Sequence, residues 1–376
     1  MRPIHMVDLK GQYLHIRSEI DQALHQVMER AAFIQGEEVN AFERELCNYT
    51  GTGFCISCGN GTDALQIALM ALGIGAGDEV IVPAFTYIAT VETAALLGAK
   101  VVLVDVQSDT FNIDSAKIEQ AITSKTKAII PVHLYGQCAD MEAIMALAAK
   151  HRLYVIEDAA QAIGSIYTFS DGRQQQAGTI GTIGCTSFFP SKNLGCFGDG
   201  GALLTNDPAL AQKIKMIANH GQSQKYQHEI IGINSRLDTL QAAILSVKLK
   251  YLDQYTTARQ KAAHYYDQHL DATKVVIPHR NRASSHVFHQ YTLKLKNGNR
   301  DQLKAQLQAK GVPSMIYYPI PVHFQEAFKS LGYVAGDFPI AEQLCKQVLS
   351  LPMHTELSED QLAYIVRSVE SLEFRI

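Results

Sequence analysis

Residues 153–161 read LYVIEDAAQ, an apolar run that ends in two carboxylates. A short continuous apolar run of this kind is typical of a strand that is buried on both faces of a parallel sheet. Because side chains alternate along a strand, Glu157 and Asp158 are expected on opposite faces. Open α/β sheets bind ligands beyond the carboxyl ends of their strands, so these carboxylates are candidate ligand groups. The alternative is a charge pair that stabilises a helix N-terminus.

Similar apolar runs lie on both sides of this segment and alternate with amphipathic stretches. Strands are predicted at 79–82, 101–104 and 128–132. Helices are predicted at 86–97, 141–151, 207–219 and 237–268. This alternation predicts an α/β fold with a mostly parallel central sheet, both faces of which are covered by helices.

The pattern changes after the long helical stretch. Beyond it, a strand and two helices are predicted at 290–295, 301–310 and 337–349. We therefore predict two domains, as expected for a chain of 376 residues. Residues 26–260 form the large domain, and residues 261–376 form a smaller C-terminal α/β domain with which residues 1–25 are expected to pack.

The composition excludes several classes of protein. The net charge is −4 and 47% of the residues are hydrophobic, without a basic stripe, so no nucleic-acid partner is expected. No apolar run spans a bilayer and the N-terminus lacks a signal-peptide pattern, which favours a cytoplasmic protein with no membrane partner. Cys55 and Cys58 form a single C-x-x-C, which favours two buried thiols on a strand, so no metal is expected.

One lysine stands in an unusual loop. Residues 187–193 read SFFPSKN, and glycines follow at 195, 198, 200 and 201. Glycines let the backbone turn tightly and approach a ligand closely. The amine of Lys192 in such a loop can condense with an aldehyde cofactor and later move a proton. The alternative is an ordinary solvated lysine.

Two further segments follow predicted strands. Gly61 and Thr62 open an apolar-periodic helix, where free backbone N–H groups can bind a phosphate; alternatively, Thr62 is only a helix cap. The segment lacks the patterns of a Walker loop and of a dinucleotide-binding turn, which disfavours a dehydrogenase. In the segment PAFTY at 83–87, Phe85 is expected in the core, and an aromatic side chain can lie flat on a cofactor ring.

A polar turn at 232–236 leads into the long predicted helix, and a helix cap accounts for Asn234 or Ser235 more easily than for Arg236. Together with the four segments above, in their order along the chain, this turn gives the sequence a pattern that resembles the DegT–StrS family of nucleotide-sugar aminotransferases. The resemblance extends from residues 7–9 to residues 351–352. It implies the aspartate-aminotransferase (type I) fold and the cofactor pyridoxal 5'-phosphate (PLP), which alternates with its pyridoxamine form (PMP).

The resemblance also implies roles for individual residues. Lys192 matches the catalytic lysine that binds PLP as a Schiff base, and Asp158 matches the carboxylate on the pyridine nitrogen. The other cofactor positions are matched by Gly61, Thr62 and Ser187 at the phosphate, Tyr87 on the ring, Gln161 near the ring hydroxyl, and Asn234, which reaches the phosphate of the neighbouring subunit. The substrate side is matched by Arg236, Tyr317, Tyr318 and His323.

By the same resemblance, the chain is expected to form a homodimer with shared active sites and to take its amino group from L-glutamate. Gln161 stands where C4 aminotransferases usually carry histidine, which favours C3 of the sugar. The expected substrate is UDP-2-acetamido-2-deoxy-3-oxo-glucuronate, used for a surface polysaccharide such as lipopolysaccharide. The alternatives are a dTDP-3-keto-6-deoxyhexose, a 4-keto sugar and a non-catalytic PLP-binding regulator. A sugar dehydratase of the same fold is disfavoured, because those enzymes carry histidine in place of Lys192.

Overall fold

A computed structural model describes residues 2–297 and 299–371. The strands of this part of the chain are β1 (Phe54–Cys58), β2 (Glu79–Pro83), β3 (Lys100–Val104), β4 (Thr126–Ile129), β5 (Tyr154–Asp158), β6 (Ile166–Thr168), β7 (Gln174–Gln176), β8 (Ile183–Ser187), β9 (Gly201–Thr205), β10 (Gln222–Gln224), β11 (Gln227–His228), β12 (Val275–Val276), β13 (Tyr291–Leu295) and β14 (Val348–Leu351). A seven-stranded sheet in the order β1-β9-β8-β5-β4-β2-β3 forms the centre of the described chain.

Helices cover this sheet and build the C-terminal part of the molecule. The α-helices are α1 (Leu9–Arg30), α2 (Glu37–Thr50), α3 (Gly61–Ala71), α4 (Ala89–Leu96), α5 (Ser115–Ala121), α6 (Met141–His151), α7 (Pro208–Ala218), α8 (Thr239–Leu249), α9 (Leu252–His269), α10 (Arg300–Ala309), α11 (Pro339–Gln347) and α12 (Glu359–Glu370). Side chains cap several of them at the N-terminus, as in α6, where Asp140 accepts from the N–H of Ala143.

The middle of the sheet is parallel. Strand β5 pairs in parallel with β4 on one side and with β8 on the other, and β2 pairs in parallel with β3 and β4. Strand β9 runs antiparallel to both β8 and β1. The predicted mostly parallel sheet is therefore confirmed, and β5 lies at its centre with its carboxyl end beside that of β8.

Strand β5 is buried on both faces because its apolar residues alternate between two hydrophobic cores. Val155 belongs to a core that includes α6, and Ile156 belongs to the core that includes α3 and α7. The burial of each such aliphatic side chain stabilises the folded state by about 2 kcal/mol. The alternation continues to the end of the strand, so Glu157 and Asp158 emerge on opposite sides of the sheet.

The C-terminal part has its own core around the antiparallel strands β12, β13 and β14. Tyr266 of α9 and Ile365 of α12 are fully buried in it, and Ile4 from the N-terminus joins them. Helix α1, in contrast, packs Ile16 and Ile20 against α8. Residues 1–25 are predicted to pack with the C-terminal part; Ile4 contacts it, whereas Ile16 and Ile20 of α1 pack against α8.

Most predicted elements form, and the differences have local causes. The helix predicted at 86–97 begins only at Ala89, because residues 84–88 form the turn that follows β2. The stretch predicted as one helix at 237–268 is two helices, α8 and α9, separated by Lys250 and Tyr251. The helix predicted at 337–349 ends at Gln347, where β14 begins. No helix within the described residues is both long and apolar enough to cross a membrane.

Candidate active site

A cavity of about 470 Å³ lies at the carboxyl ends of β5 and β8. Most of the residues predicted for the site line it: Gly61, Thr62, Tyr87, Asp158, Gln161, Ser187, Lys192, Tyr317 and Tyr318. They come from separate segments of the chain and meet because the strands and the α3 N-terminus converge at this edge of the sheet. The position agrees with the rule that open α/β sheets bind ligands beyond the carboxyl ends of their strands.

Lys192 lies in the connection between β8 and β9. Its backbone N–H donates to the carbonyl of Phe189 (2.8 Å), which closes a tight turn around the lysine. Burial lowers the pKa of the Lys192 amine to about 8, although the charge of Asp158 acts in the opposite direction. Most lysines are fully protonated near neutral pH. An amine with a lowered pKa is partly unprotonated there, so it can act both as a nucleophile and as a base.

Asp158 faces the cavity at the end of β5. One carboxylate oxygen accepts from the hydroxyl of Thr90 (2.7 Å) and the other from the N–H of Ala160 (3.2 Å). The side chain lines the cavity with Lys192, so the carboxylate is held in place while it faces the ligand space. This arrangement suits a carboxylate that binds a protonated ring nitrogen.

Glu157 lies on the face of the sheet opposite to the cavity. Its carboxylate accepts from the backbone N–H groups of Gly178 (2.9 Å), Ile180 (2.7 Å) and Gly181 (2.5 Å). The ring of His133 lies 2.8 Å from the same carboxylate, and both side chains are fully buried. Glu157 therefore fixes the turn at residues 178–181, and His133 is held beside it.

The N-terminus of α3 meets the cavity at Gly61 and Thr62. The helix cap is Asn60, whose side chain accepts from the N–H of Asp63 (2.8 Å), so the alternative that Thr62 is the cap is wrong. A Cβ atom on Gly61 would lie 2.7 Å from the Cβ of Ser187, so only glycine fits there. The N-terminus of α3, the hydroxyl of Ser187 and the small Gly61 together form a cradle that suits a phosphate.

Gln161 is fixed by two hydrogen bonds. Its carbonyl oxygen accepts from the N–H of Tyr135 (2.7 Å), and its amide nitrogen donates to the hydroxyl of Tyr318 (3.2 Å). Tyr87 is 56% exposed and its ring centroid lies 6.1 Å from that of Tyr318. An exposed ring at the cavity wall is available to stack on a planar ligand, whereas Phe85 is buried as predicted.

Three predicted residues lie outside this cavity. Arg236 lines a separate cavity of about 240 Å³ together with Glu43 and Lys215. Asn234 is exposed on the same turn and pairs through its backbone with Asn219. His323 is buried, and its ring lies 3.2 Å from the carboxylate of Glu342. Within one chain the structure therefore does not bring these three residues to Lys192.

Sequence reasoning missed three residues of the site. Thr90 orients Asp158, and its hydroxyl also lies 3.1 Å from that of Thr86. Tyr135 orients Gln161 through its backbone. His289 lines the cavity from the segment before β13, and no local pattern pointed to it.

The ring of His289 is held neutral. Burial, and then the positive charges of Lys192 and Arg259, hold the pKa of His289 well below its usual range. Its Nε2 lies 3.4 Å from the side-chain nitrogen of Gln290, and no partner for Nδ1 exists among the described residues. The cavity wall therefore carries a neutral imidazole rather than a second cation.

A cavity that offers a reactive amine, a facing carboxylate and a phosphate cradle fits PLP, which carries an aldehyde, a ring nitrogen and a phosphate. Together with the fold, it defines a PLP-dependent aminotransferase. The chain belongs to the DegT/DnrJ/EryC1/StrS aminotransferase family, whose model matches residues 14–370. The predicted family, fold and cofactor are thus confirmed.

Several named relatives are similar to the chain over nearly its whole length. A "pleiotropic regulatory protein" of Geobacillus stearothermophilus is 50% identical, and the match covers 97% of each chain. UDP-2-acetamido-2-deoxy-3-oxo-D-glucuronate aminotransferase of Pseudomonas aeruginosa is 47% identical over 96% of this chain and 98% of its own. Other relatives are named as dTDP-3-amino-sugar transaminases.

A solved structure agrees with the fold. The crystal structure of Streptomyces venezuelae DesV in complex with a ketimine intermediate superposes with a TM-score of 0.94 and 39% identity. The match covers 99% of this chain and 100% of that chain. The chain is therefore a sugar aminotransferase of this family.

Proposed function

We propose that the chain transfers an amino group from L-glutamate to C3 of a nucleotide-linked 3-keto sugar. UDP-2-acetamido-2-deoxy-3-oxo-glucuronate, destined for a surface polysaccharide made from cytoplasmic precursors, is the candidate substrate. The observation that carries the proposal is the convergence of Lys192, Asp158 and the α3 N-terminus on one cavity.

The residues of the cavity divide the work of the reaction. Bound PLP supplies an electron sink that stabilises negative charge on the substrate carbon. Gly61, Thr62 and Ser187 would hold its phosphate, and Asp158 would keep its ring nitrogen protonated. The Lys192 amine, with a pKa of about 8, accepts a proton from the substrate carbon and returns it to a neighbouring atom.

The choice of C3 is supported by Gln161 and by the relatives. Because the hydroxyl of Tyr318 accepts from the Gln161 amide, its own proton is free to donate to a sugar oxygen in the cavity. The names of the P. aeruginosa relative and of the dTDP-sugar transaminases also specify position 3.

The group at C6 of the sugar separates two candidates. Among the described residues that line the cavity, Lys192 is the only lysine or arginine. A uronate carboxylate is best matched by a cation, and the described lining of this cavity offers none besides Lys192, whereas a methyl group needs no such partner. A dTDP-3-keto-6-deoxyhexose is therefore the second candidate. For the uronate, the cation would be Arg236 or Lys225 of a second copy.

A substrate panel tests this function. The PMP form is incubated with the UDP-linked 3-oxo-glucuronate, the dTDP-3-keto-6-deoxyhexose and a 4-keto sugar, and products are identified by mass spectrometry and NMR. Amination of the uronate at C3 is expected. Turnover of the 4-keto sugar alone would refute C3, and turnover of the deoxyhexose alone would overturn only the uronate. No turnover of any sugar would favour the regulator.

We also propose a homodimer in which each active site uses residues of both chains. The support is that Asn234 and Arg236 lie away from the cavity of their own chain, on a turn that is partly exposed. Inactive Lys192→Ala subunits are mixed with inactive subunits altered at both Asn234 and Arg236. Partial recovery of activity is expected, because each hybrid dimer regains one intact site. A fully active monomer would contradict the proposal.

A further inference from the structure

The loop that carries Lys192 is closed at its base by backbone hydrogen bonds. The N–H of Cys196 donates to the carbonyl of Phe188 (2.8 Å), and that of Phe188 donates to Gly200 (2.7 Å). Between these points the backbone is packed so closely that a Cβ on Gly195 would lie 2.4 Å from the carbonyl oxygen of Pro190. Any group that holds Gly195 therefore also holds the turn on which Lys192 stands.

Two side chains tie the loop to the rest of the protein: one belongs to the loop and the other to α8. The side chain of Asn193 donates to the carbonyl of Val287 (2.9 Å), which ties the loop to the segment before β13. Lys248 of α8 donates from its ammonium group to the carbonyl of Gly195. The loop is thus anchored on one side by an amide and on the other by a second lysine.

Lys248 is an unusual lysine because it is only 1% exposed and has no carboxylate partner within the described residues. Its ammonium lies 5.5 Å from the centroid of the Phe197 ring, in the same loop. Burial lowers the pKa of Lys248 to about 8. A buried charge is costly, and replacing it with an apolar residue of similar size often stabilises a protein. Stability alone therefore gives no reason for a lysine here.

We propose that Lys248 is a positioning residue for catalysis, which holds the Lys192 loop through the carbonyl of Gly195 and the ring of Phe197. Its charge strengthens a single hydrogen bond to a carbonyl, and such charge-assisted bonds are about twice as strong as neutral ones. With the loop held, Lys192 stays at the cavity wall, shielded from water. The proposal rests on the role of Lys192 given under the proposed function.

The experiment measures the Lys192 amine directly. In the PMP form of the holoenzyme this amine is free, and its pKa follows from the pH dependence of competitive acetylation, read for its peptide by mass spectrometry. The variants are Lys248→Met, which removes the charge and the donor, and Lys248→Gln, which keeps a donor. Lys250→Met is the control, because Lys250 lies two residues further on and its side chain is 64% exposed.

In Lys248→Met we expect the pKa of Lys192 to rise by about one unit, because a loosened loop admits water and burial no longer depresses it. The kcat per bound cofactor should fall roughly tenfold, as expected for a slightly misplaced catalytic group, with KM within about threefold. Lys248→Gln should recover part of both effects, and Lys250→Met should behave as the wild type.

The experiment separates a failure of the role of Lys248 from a failure of the assignment of Lys192. If Lys248→Met changes only the thermal unfolding temperature, while the pKa of Lys192 and the kcat match the control, the positioning role is overturned. Borohydride reduction of the wild-type PLP form separately identifies the labelled peptide. A label on a peptide without Lys192 would overturn the proposed site itself, whereas the acetylation measurement would still report whether Lys248 holds the loop.

Discussion

Two adjacent and chemically similar residues end β5 and face opposite sides of the sheet, yet only one of the two carboxylates is accessible to a ligand. On the closed side, Glu157 is surrounded by backbone N–H groups and His133, and it is fully buried. On the open side, Asp158 has one hydroxyl and one N–H as partners and faces the cavity. The difference shows that the same type of group becomes a structural anchor or a ligand group according to how many donors its surroundings supply.

The largest effect is expected on the open side at Lys192. Lys192→Ala removes the amine that we propose binds the cofactor and moves the proton, so activity should fall roughly ten-thousandfold. The variant should still bind PLP noncovalently, which absorbance after gel filtration will show. Lys250→Ala, at an exposed position on α8's C-terminal side, serves as the control for loss of a lysine. Activity within tenfold of the wild type would show that another group does this work.

A smaller but still large effect is expected for Asp158→Asn. The amide keeps the shape but cannot hold a proton on the ring nitrogen, so kcat per bound cofactor should fall roughly a hundredfold. The thermal unfolding temperature should change little, because the carboxylate has few partners to lose. Equal losses in kcat and in stability would contradict the contrast between the two sides.

The matched change on the closed side is Glu157→Gln, for which the opposite pattern is expected. The amide nitrogen would face backbone donors in place of an acceptor, so the free energy of unfolding should fall by about 3 kcal/mol. Urea denaturation measures this loss. The kcat per bound cofactor should stay within about threefold of the wild type. A hundredfold loss of kcat in folded protein would mean that Glu157 also takes part in the reaction.

The smallest effect is expected for Thr90→Val, which keeps the shape of a fully buried side chain and removes one donor to Asp158. Loss of one such hydrogen bond is worth about 1 kcal/mol, so kcat should fall roughly fivefold. Thr90→Ser, which keeps the hydroxyl, should recover most of it. If both variants lose activity equally, the methyl packing of Thr90 matters and its hydroxyl does not.

Much of the site could be predicted from short segments of sequence. The apolar run before Glu157 predicted a central strand, and its alternation placed the two carboxylates on opposite faces, as observed. The small residues around Lys192 predicted a tight loop, and the position of Gly61 before an apolar-periodic stretch predicted a helix start at the site. These features depend on backbone geometry and on neighbours within a few residues, so they can be recognised without the fold.

Other features required segments far apart in the chain. Position alone did not show that Glu157 would meet the turn at 178–181 and Asp158 would meet Thr90, and it did not separate His289, which lines the cavity, from His323, which does not. The break between α8 and α9 was also missed, because both helices share one apolar spacing.

The sequence by itself thus predicted the class of fold, the segments that meet at the cavity and Lys192 as the candidate reactive lysine. Only the tertiary structure decided which carboxylate is open to a ligand and that a second buried lysine, Lys248, contacts the loop of the first. The physical reason is the distance along the chain over which each effect acts. Periodicity and turn chemistry act between near neighbours, whereas burial and the number of available hydrogen-bond donors depend on residues that only the folded chain brings together.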